Sequence, residues 1–229
     1  MSIYKGSFFA NSHIDPGKIL RMAHLWLAGA NHSTIQSLTD HSTATVTDYI
    51  GYFRSLIAFN LAENRQLIGG NGIIVEVDEA KFGRRKYNRG HRVDGAWVFG
   101  GVERTPERRM FALVARDRSA ITLLNAIQEN IHPGLIIYSD MWRGYANIEP
   151  VIGNRHLTVN HSQHFRDPET GVHTNTIEGT WNGFKIKIPA RNRNEEQLDS
   201  SILEVIWRRQ HSQNLWQAFI DCLRETDFQ

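Results

Sequence analysis

At 229 residues, the chain can hold one full-sized domain and a small extra module. Its 41% hydrophobic and 22% charged residues are the balance of an ordinary soluble globular protein; no apolar run approaches the ~18 residues of a membrane span. The start, MSIYKGSFFANSHIDPGK, lacks a signal-peptide pattern, the lone Cys222 excludes an intrachain disulfide or a cysteine zinc cluster, and a net charge of +2 is too small to indicate nucleic acid.

Asn11 to Gly17 is turn-rich, and Ile19, Leu20, Ala23, Trp26 and Leu27 then form one apolar stripe, predicting a helix over Lys18–Ala28 that Gly29 stops. Ser33 is placed to cap a short helix carrying Ile35 and Leu38, and Ser42 to cap a longer one from Thr43 to about Ala62. Three helices with short connections resemble a helix-turn-helix module. Arg54 is the only basic residue on the candidate recognition helix and Asp48 would repel phosphate, so three helices that simply pack on the core are an equal reading.

Gly-Gly-Asn-Gly at 69–72 is the best boundary, separating a helical, helix-turn-helix-like module over 1–68 from a domain over 69–229 that includes C-terminal helices. Ile73 to Val77 is a β-branched run that reads as a buried strand ending at Asp78. Ala96–Val102 and Met110–Ala115 read as strands around a turn at Thr105-Pro106-Glu107, and Ser119–Asn130 as a helix with Ile121, Leu124 and Ile127 inward. Leu135–Tyr138 is a strand ending at Ser139-Asp140, Leu157–Val159 a short fifth strand, and Thr174–Lys187 a helix stopped by Pro189. Amphipathic helices over Glu195–Arg209 and Leu215–Arg224 finish the chain. This order predicts an α/β mixed sheet flanked by helices; RNase H-like architecture satisfies it, as do several other α/β folds.

Asp78 and Asp140 each close a strand, where ligand sites gather in α/β sheets and where a carboxylate is costly to desolvate without a cation or hydrogen bonds. For either one alone, capping a helix or closing a turn is the blander alternative. Glu76 shares the strand face of Asp78 and Glu79 points the other way; each is a candidate secondary ligand, with a solvent-facing role preferred for both. Glu178 and Lys185 lie seven residues apart, on one helix face, so the lysine can approach a phosphate whose metal the glutamate holds. Three acids on strand, strand and helix suit a site for two Mg²⁺ ions. Arg84, Arg85, Lys86, Arg89 and Arg92 fall within nine residues containing no acid, and a second basic stretch runs through Lys185, Lys187, Arg191 and Arg193. Such blocks are commonly solvated faces; directly after a candidate catalytic strand, phosphate contact is the preferred reading of the first one. His161-x-x-His164, with His173, has metal-ligand spacing, but positioning DNA or supporting the carboxylates is preferred over zinc. Trp142 and Tyr145 follow Asp140 at helical spacing, with core packing as the default reading and base stacking as the minority one.

Six strings occur in order over about residues 73–193: Val77-Asp-Glu-Ala-Lys-Phe-Gly, Tyr87-Asn-Arg-Gly-His, Trp97-Val-Phe-Gly-Gly-Val-Glu, Tyr138-Ser-Asp-Met-Trp-Arg-Gly-Tyr145, Val159-Asn-His-Ser and Asp167-Pro-Glu-Thr-Gly-Val-His-Thr-Asn-Thr-Ile-Glu-Gly-Thr-Trp181. Together they closely resemble the DDE insertion-sequence transposase family that includes the eukaryotic Merlin elements. The family pattern of three acids and a lysine maps onto Asp78, Asp140, Glu178 and Lys185. The resemblance implies an RNase H-like catalytic domain over 69–229 and a Mg²⁺- or Mn²⁺-dependent enzyme that cuts DNA at transposon ends and joins the 3′-hydroxyl to target DNA. Asp78, Asp140 and Glu178 would be the metal ligands, and Arg84, Arg85, Lys86, Arg89, Arg92 and Lys187 the DNA contacts. It also implies a homodimer or higher oligomer on DNA, away from membranes and inside the cell: nuclear in a eukaryote, cytoplasmic in a bacterium. Relatives often carry a cysteine-rich zinc module ahead of the helix-turn-helix, and this sequence shows none. The alternative is a domesticated DNA-binding derivative without transposition activity, against which the intact acidic triad argues.

Overall fold

A computed structural model describes residues 5–83 and 95–228. It falls into two compact units, one formed by Met1–Asn64 with Trp207–Gln229 and the other by Arg65–Ile206.

In the first unit, Pro16 at the first helical position and Asp15 as cap start α1 (Pro16–Leu27), two residues ahead of the helix expected from the apolar stripe. The cap of α2 (His32–Thr39) is Asn31, whose Oδ1 accepts the Thr34 N–H at 2.9 Å; Ser33, the expected cap, lies inside the helix and donates to the same oxygen. Asp40, in the left-handed conformation at φ 55°, ends α2. Ser42 caps α3 (Thr43–Glu63) through the Thr45 N–H. The core of this unit gathers Ile19, Trp26, Val46, Phe53, Trp207 and Phe219.

That core corrects the expected boundary. Helix α7 (Leu215–Glu225) buries Phe219 and Cys222 among the N-terminal helices, with the Phe219 ring 5.5 Å from that of Phe53 and 6.3 Å from that of Trp26. An amphipathic face records that a helix has a partner and not which partner. Residues 207–229 therefore belong with the first unit, not with the domain that precedes them in the chain.

The second unit is built on a five-stranded sheet of order β3-β2-β1-β4-β5. Its strands are β1 (Ile74–Phe82), β2 (Ala96–Glu103), β3 (Met110–Ala115), β4 (Ile136–Asp140) and β5 (Arg155–Val159). The first three are antiparallel neighbours, whereas β4 runs parallel to both β1 and β5. Parallel neighbours need a crossover, supplied between β3 and β4 by α4 (Ala120–Asn130). This strand order is that of the RNase H-like mixed sheet. On one face Val75, Val77, Phe99 and Ile137 pack with Leu123 and Ile127 of α4. The other face carries α5 (Asn175–Lys187), whose Ile177, Trp181 and Phe184 are buried. Helix α6 (Glu195–Gln210) follows.

Two details differ from expectation. Ser119 is the N-cap of α4 and not its first residue; in the resulting phase Leu123 turns inward and Ile121 stays 74% exposed. Strand β1 runs on to Phe82 because its ladder with β2 continues to Phe82↔Ala96. Asp78 therefore sits mid-strand, and only the β4 side of β1 ends early, at Glu76↔Tyr138.

Candidate active site

The parallel register pairs Glu76 with Tyr138, so two residues further on Asp78 comes level with Asp140, just past the last paired residues of the ladder. Alternation puts Glu76, Asp78 and Phe82 on the α5 face of β1 and Val75, Val77 and Glu79 on the opposite, α4 face. Asp78 is paired across β2 with Gly100, where a Cβ would stand 2.7 Å from the Trp181 ring. The missing side chain lets Trp181 lie against the sheet and donate its indole N–H to Asp78 Oδ2 at 3.1 Å. Asp140 Oδ1 accepts the Trp142 backbone N–H at 2.8 Å, which turns its carboxylate back over the end of β4. Burial pushes the Asp78 carboxyl up to about 8, and the negative charges of Glu79 and Asp140 push the same way.

The two glutamates flanking Asp78 are buried, contrary to the solvent-facing role expected for them. Glu76 is fully buried: its Oε2 accepts the N–H groups of Thr176 and Ile177 at 2.8 and 3.0 Å, its Oε1 accepts the Thr176 hydroxyl, and Arg104 pairs with it at 3.3 Å. Glu79 accepts from Arg118 Nε at 2.6 Å and from the Tyr145 hydroxyl in a short hydrogen bond. The Arg118 guanidinium lies 4.4 Å from the ring centroid of Trp97 and 4.1 Å from that of Trp142. Burial beside Glu79 raises the Tyr145 hydroxyl well above its ordinary range. A strand read as one buried run cannot reveal arginines arriving from just after β2 and from the segment before α4, so these pairings have no local sequence signal. Tyr145 is fully buried and Trp142 half-buried against Arg118, which agrees with the packing reading of both.

Glu178, in the first turn of α5, accepts from the Thr174 hydroxyl at 2.8 Å and lies 3.4 Å from His161 Nε2. Trp181 and Lys185 follow along the helix; Lys185 Nζ is 5.5 Å from the ring centroid of Phe82, and Lys187 is exposed in the last turn. Of the histidines, His161 bonds Thr174 at 2.7 Å, His173 is 2.6 Å from Arg104, and His164 is exposed. His161 and His173 are thus divided between the Glu178 and Glu76 networks. Desolvation lowers the His173 imidazole, and the Arg104 charge adds to that. The structure brings Asp78 and Asp140 together and sets Glu178 on the helix packed over them. Among the described residues, no three acid, cysteine or histidine side chains already converge as a metal cage. Arg84, Arg85, Lys86, Arg89 and Arg92 lie outside the described residues.

An RNase H-like sheet with two aspartates side by side where the β1–β4 ladder ends defines a class of protein, and sequence similarity narrows it. A family model for the ISXO2-like transposase domain matches residues 67–209, more than half of the chain. The chain belongs to this family. An uncharacterized transposase-like protein of Haemophilus influenzae is 28% identical over 106 residues, which make up 46% of this chain and 84% of that protein. The catalytic core domain of BIV integrase aligns at 15% identity and a TM-score of 0.42, over 59% of this chain and 80% of that one. The Mos1 strand transfer complex aligns at 10% identity and a TM-score of 0.24, over 93% and 80%. Among the described residues, no helix is long and apolar enough to cross a membrane.

Proposed function

We propose that this chain is a DNA transposase in which Asp78, Asp140 and Glu178 hold divalent cations, Mg²⁺ or Mn²⁺. One observation supports this most. Glu76, Glu79 and Glu103 are each buried with an arginine partner, whereas among the described residues no ion pair reaches Asp78 or Asp140. Adjacent carboxylates without a cation must take up a proton or recruit positive charge from outside the chain. Their oxygens suit Mg²⁺, which accepts a few protein ligands and leaves room for water and substrate oxygen. When bound, two such ions activate an attacking oxygen and stabilise a leaving one in phosphodiester chemistry.

The residues of the chain orient the reactants. The Trp142 N–H and the Trp181 indole each engage one oxygen, of Asp140 and Asp78 respectively, and so set the direction of both carboxylates. Lys185 is the group proposed to approach a phosphate beside Glu178. Arg84, Arg85, Lys86, Arg89, Arg92 and Lys187 are proposed to contact the DNA backbone, and α1–α3 to read transposon ends. The substrates are transposon ends, cut at a phosphodiester, and target DNA, to which the freed 3′-hydroxyl is joined by a homodimer or higher oligomer. Within the family, the six strings quoted above favour the branch that includes the Merlin elements.

The test is cleavage of duplex DNA carrying the element's terminal repeats by purified wild type, Asp140→Asn and Glu178→Gln. Loss in both variants, and loss in wild type when metal is chelated, is expected. Full activity in Asp140→Asn, or in chelated wild type, overturns the reading. Replacing three of the five clustered basic residues by alanine is expected to flatten the log–log salt dependence of binding by about 0.9 per lost phosphate contact.

A further inference from the structure

Thr174 occupies the N-cap position of α5, yet its hydroxyl makes no capping bond. Serving the N–H of the second or third helical residue is the ordinary use of threonine there. Those groups, on Thr176 and Ile177, are instead taken by the Glu76 carboxylate of β1. The Thr174 hydroxyl is thereby released, and it donates to Glu178 Oε1 at 2.8 Å. His161 Nε2 lies 2.7 Å from the same hydroxyl and 3.4 Å from the same carboxylate oxygen. A hydroxyl has one hydrogen; with it committed to Glu178, the oxygen accepts from His161, which places the imidazole proton on Nε2. Thr174 is 2% exposed, so water has little access to replace either partner. Among the described residues, every hydrogen bond to the Glu178 side chain falls on Oε1, leaving Oε2 for a ligand.

We propose that Thr174 and His161 are positioning residues that aim the Glu178 carboxylate at its cation, while Glu76 takes over the capping of α5. This rests on the metal-binding reading of Glu178 given above. It accounts for two of the sequence strings at once, since Val159-Asn-His-Ser supplies His161 and the longest string supplies both Thr174 and Glu178. Because Glu76 holds the first turn of α5, loss of the Thr174 hydroxyl is expected to leave the helix in place.

The experiment is calorimetric titration of Mn²⁺ into the purified full chain, with thermal melting recorded alongside, for wild type, Thr174→Val, Thr174→Ser, His161→Phe and Glu178→Gln. Thr174→Val keeps the shape and removes the hydroxyl, so Mn²⁺ affinity is expected to fall by about 10- to 100-fold, as when a group orienting a metal ligand is lost. His161→Phe is expected to fall in the same direction, and Thr174→Ser to restore most of the affinity at an unchanged melting temperature. Wild-type affinity in Thr174→Val, with weakened binding in Glu178→Gln, overturns the positioning role and leaves the metal site standing. Wild-type affinity in Glu178→Gln overturns both. If Thr174→Val unfolds, His161→Phe carries the test, and wild-type affinity there overturns the proposal.

Discussion

Asp78 and Glu79 are neighbours in the chain and end on opposite faces of β1, and the two faces treat a carboxylate differently. Under the α4 face, Glu79 is met by Arg118, and by the Tyr145 hydroxyl. On the α5 face, Asp78 accepts the Trp181 indole N–H and stands beside a second acid, Asp140. Glu76, two residues earlier on that same α5 face, is compensated as fully as Glu79, by Arg104 and two helix N–H groups. Burial follows the same division: Glu76 and Glu79 are buried, whereas Asp78 and Asp140 are half-buried. The division is also one of charge: among the described residues, arginines pair with Glu76 and Glu79 and none with Asp78 or Asp140. Glu76 and Glu79 are structural acids, balanced within the chain.

The sharpest way to break that comparison is to remove the charge from each kind of acid. Asp78→Asn or Asp140→Asn is expected to reduce DNA strand cleavage on the order of a thousandfold or more, the scale found when one member of a set acting as a unit is lost. For Asp78→Asn the melting temperature should hold or rise, because a carboxyl raised to about 8 is itself a source of instability. A variant that melts far below wild type would place Asp78 among the structural acids.

Glu79→Ala is the counterpart. Leaving Arg118 and Tyr145 without their partner is expected to cost about 3 kcal/mol, at the low end for a broken buried pair because Arg118 is 28% exposed. Denaturant unfolding measures it, and a loss below about 1 kcal/mol would reduce this network to the level of a surface pair.

The pH dependence of stability sharpens the contrast further. Asp78 titrates at about 8 in the fold against an ordinary value of 3.8, so the folded protein keeps a proton that the unfolded chain releases between those values. The unfolded state then binds fewer protons, and the Asp78 contribution to stability declines as pH rises from about 4 towards about 8. In metal-free protein, urea midpoints are expected to fall over that window, less so in Asp78→Asn, and Mn²⁺ should counter the fall in wild type only. Identical pH profiles for the two proteins would remove Asp78 as its source.

The smallest effect belongs to a pair outside both groups. Arg65 and Glu129 meet at 3.6 Å with side chains 54% and 66% exposed, and Glu129→Ala is expected to change stability by less than about 1 kcal/mol. A larger loss would mean that exposure is a poor guide to how acids on this fold contribute.

Much of this was written locally. Strand β3 and helix α7 begin where their apolar patterns and flanking residues place them, and Ser42 caps α3 as its position before the helix indicates. Spacing and the surrounding strings mark Asp78, Asp140 and Glu178 as candidates, because a short motif carries its residue types in order. Tertiary structure alone decided who meets whom. The α7 face turned out to cover the N-terminal helices, Glu76 to cap a helix 100 residues away, and Arg118 to neutralise Glu79 across 39 residues. Periodicity shows that a side chain is buried, but a buried carboxylate looks the same in the sequence whether an arginine, a helix end or a metal ion will balance it. The register of β1 against β4, which brings Asp78 level with Asp140 at the point where the ladder stops, is likewise visible only in the fold.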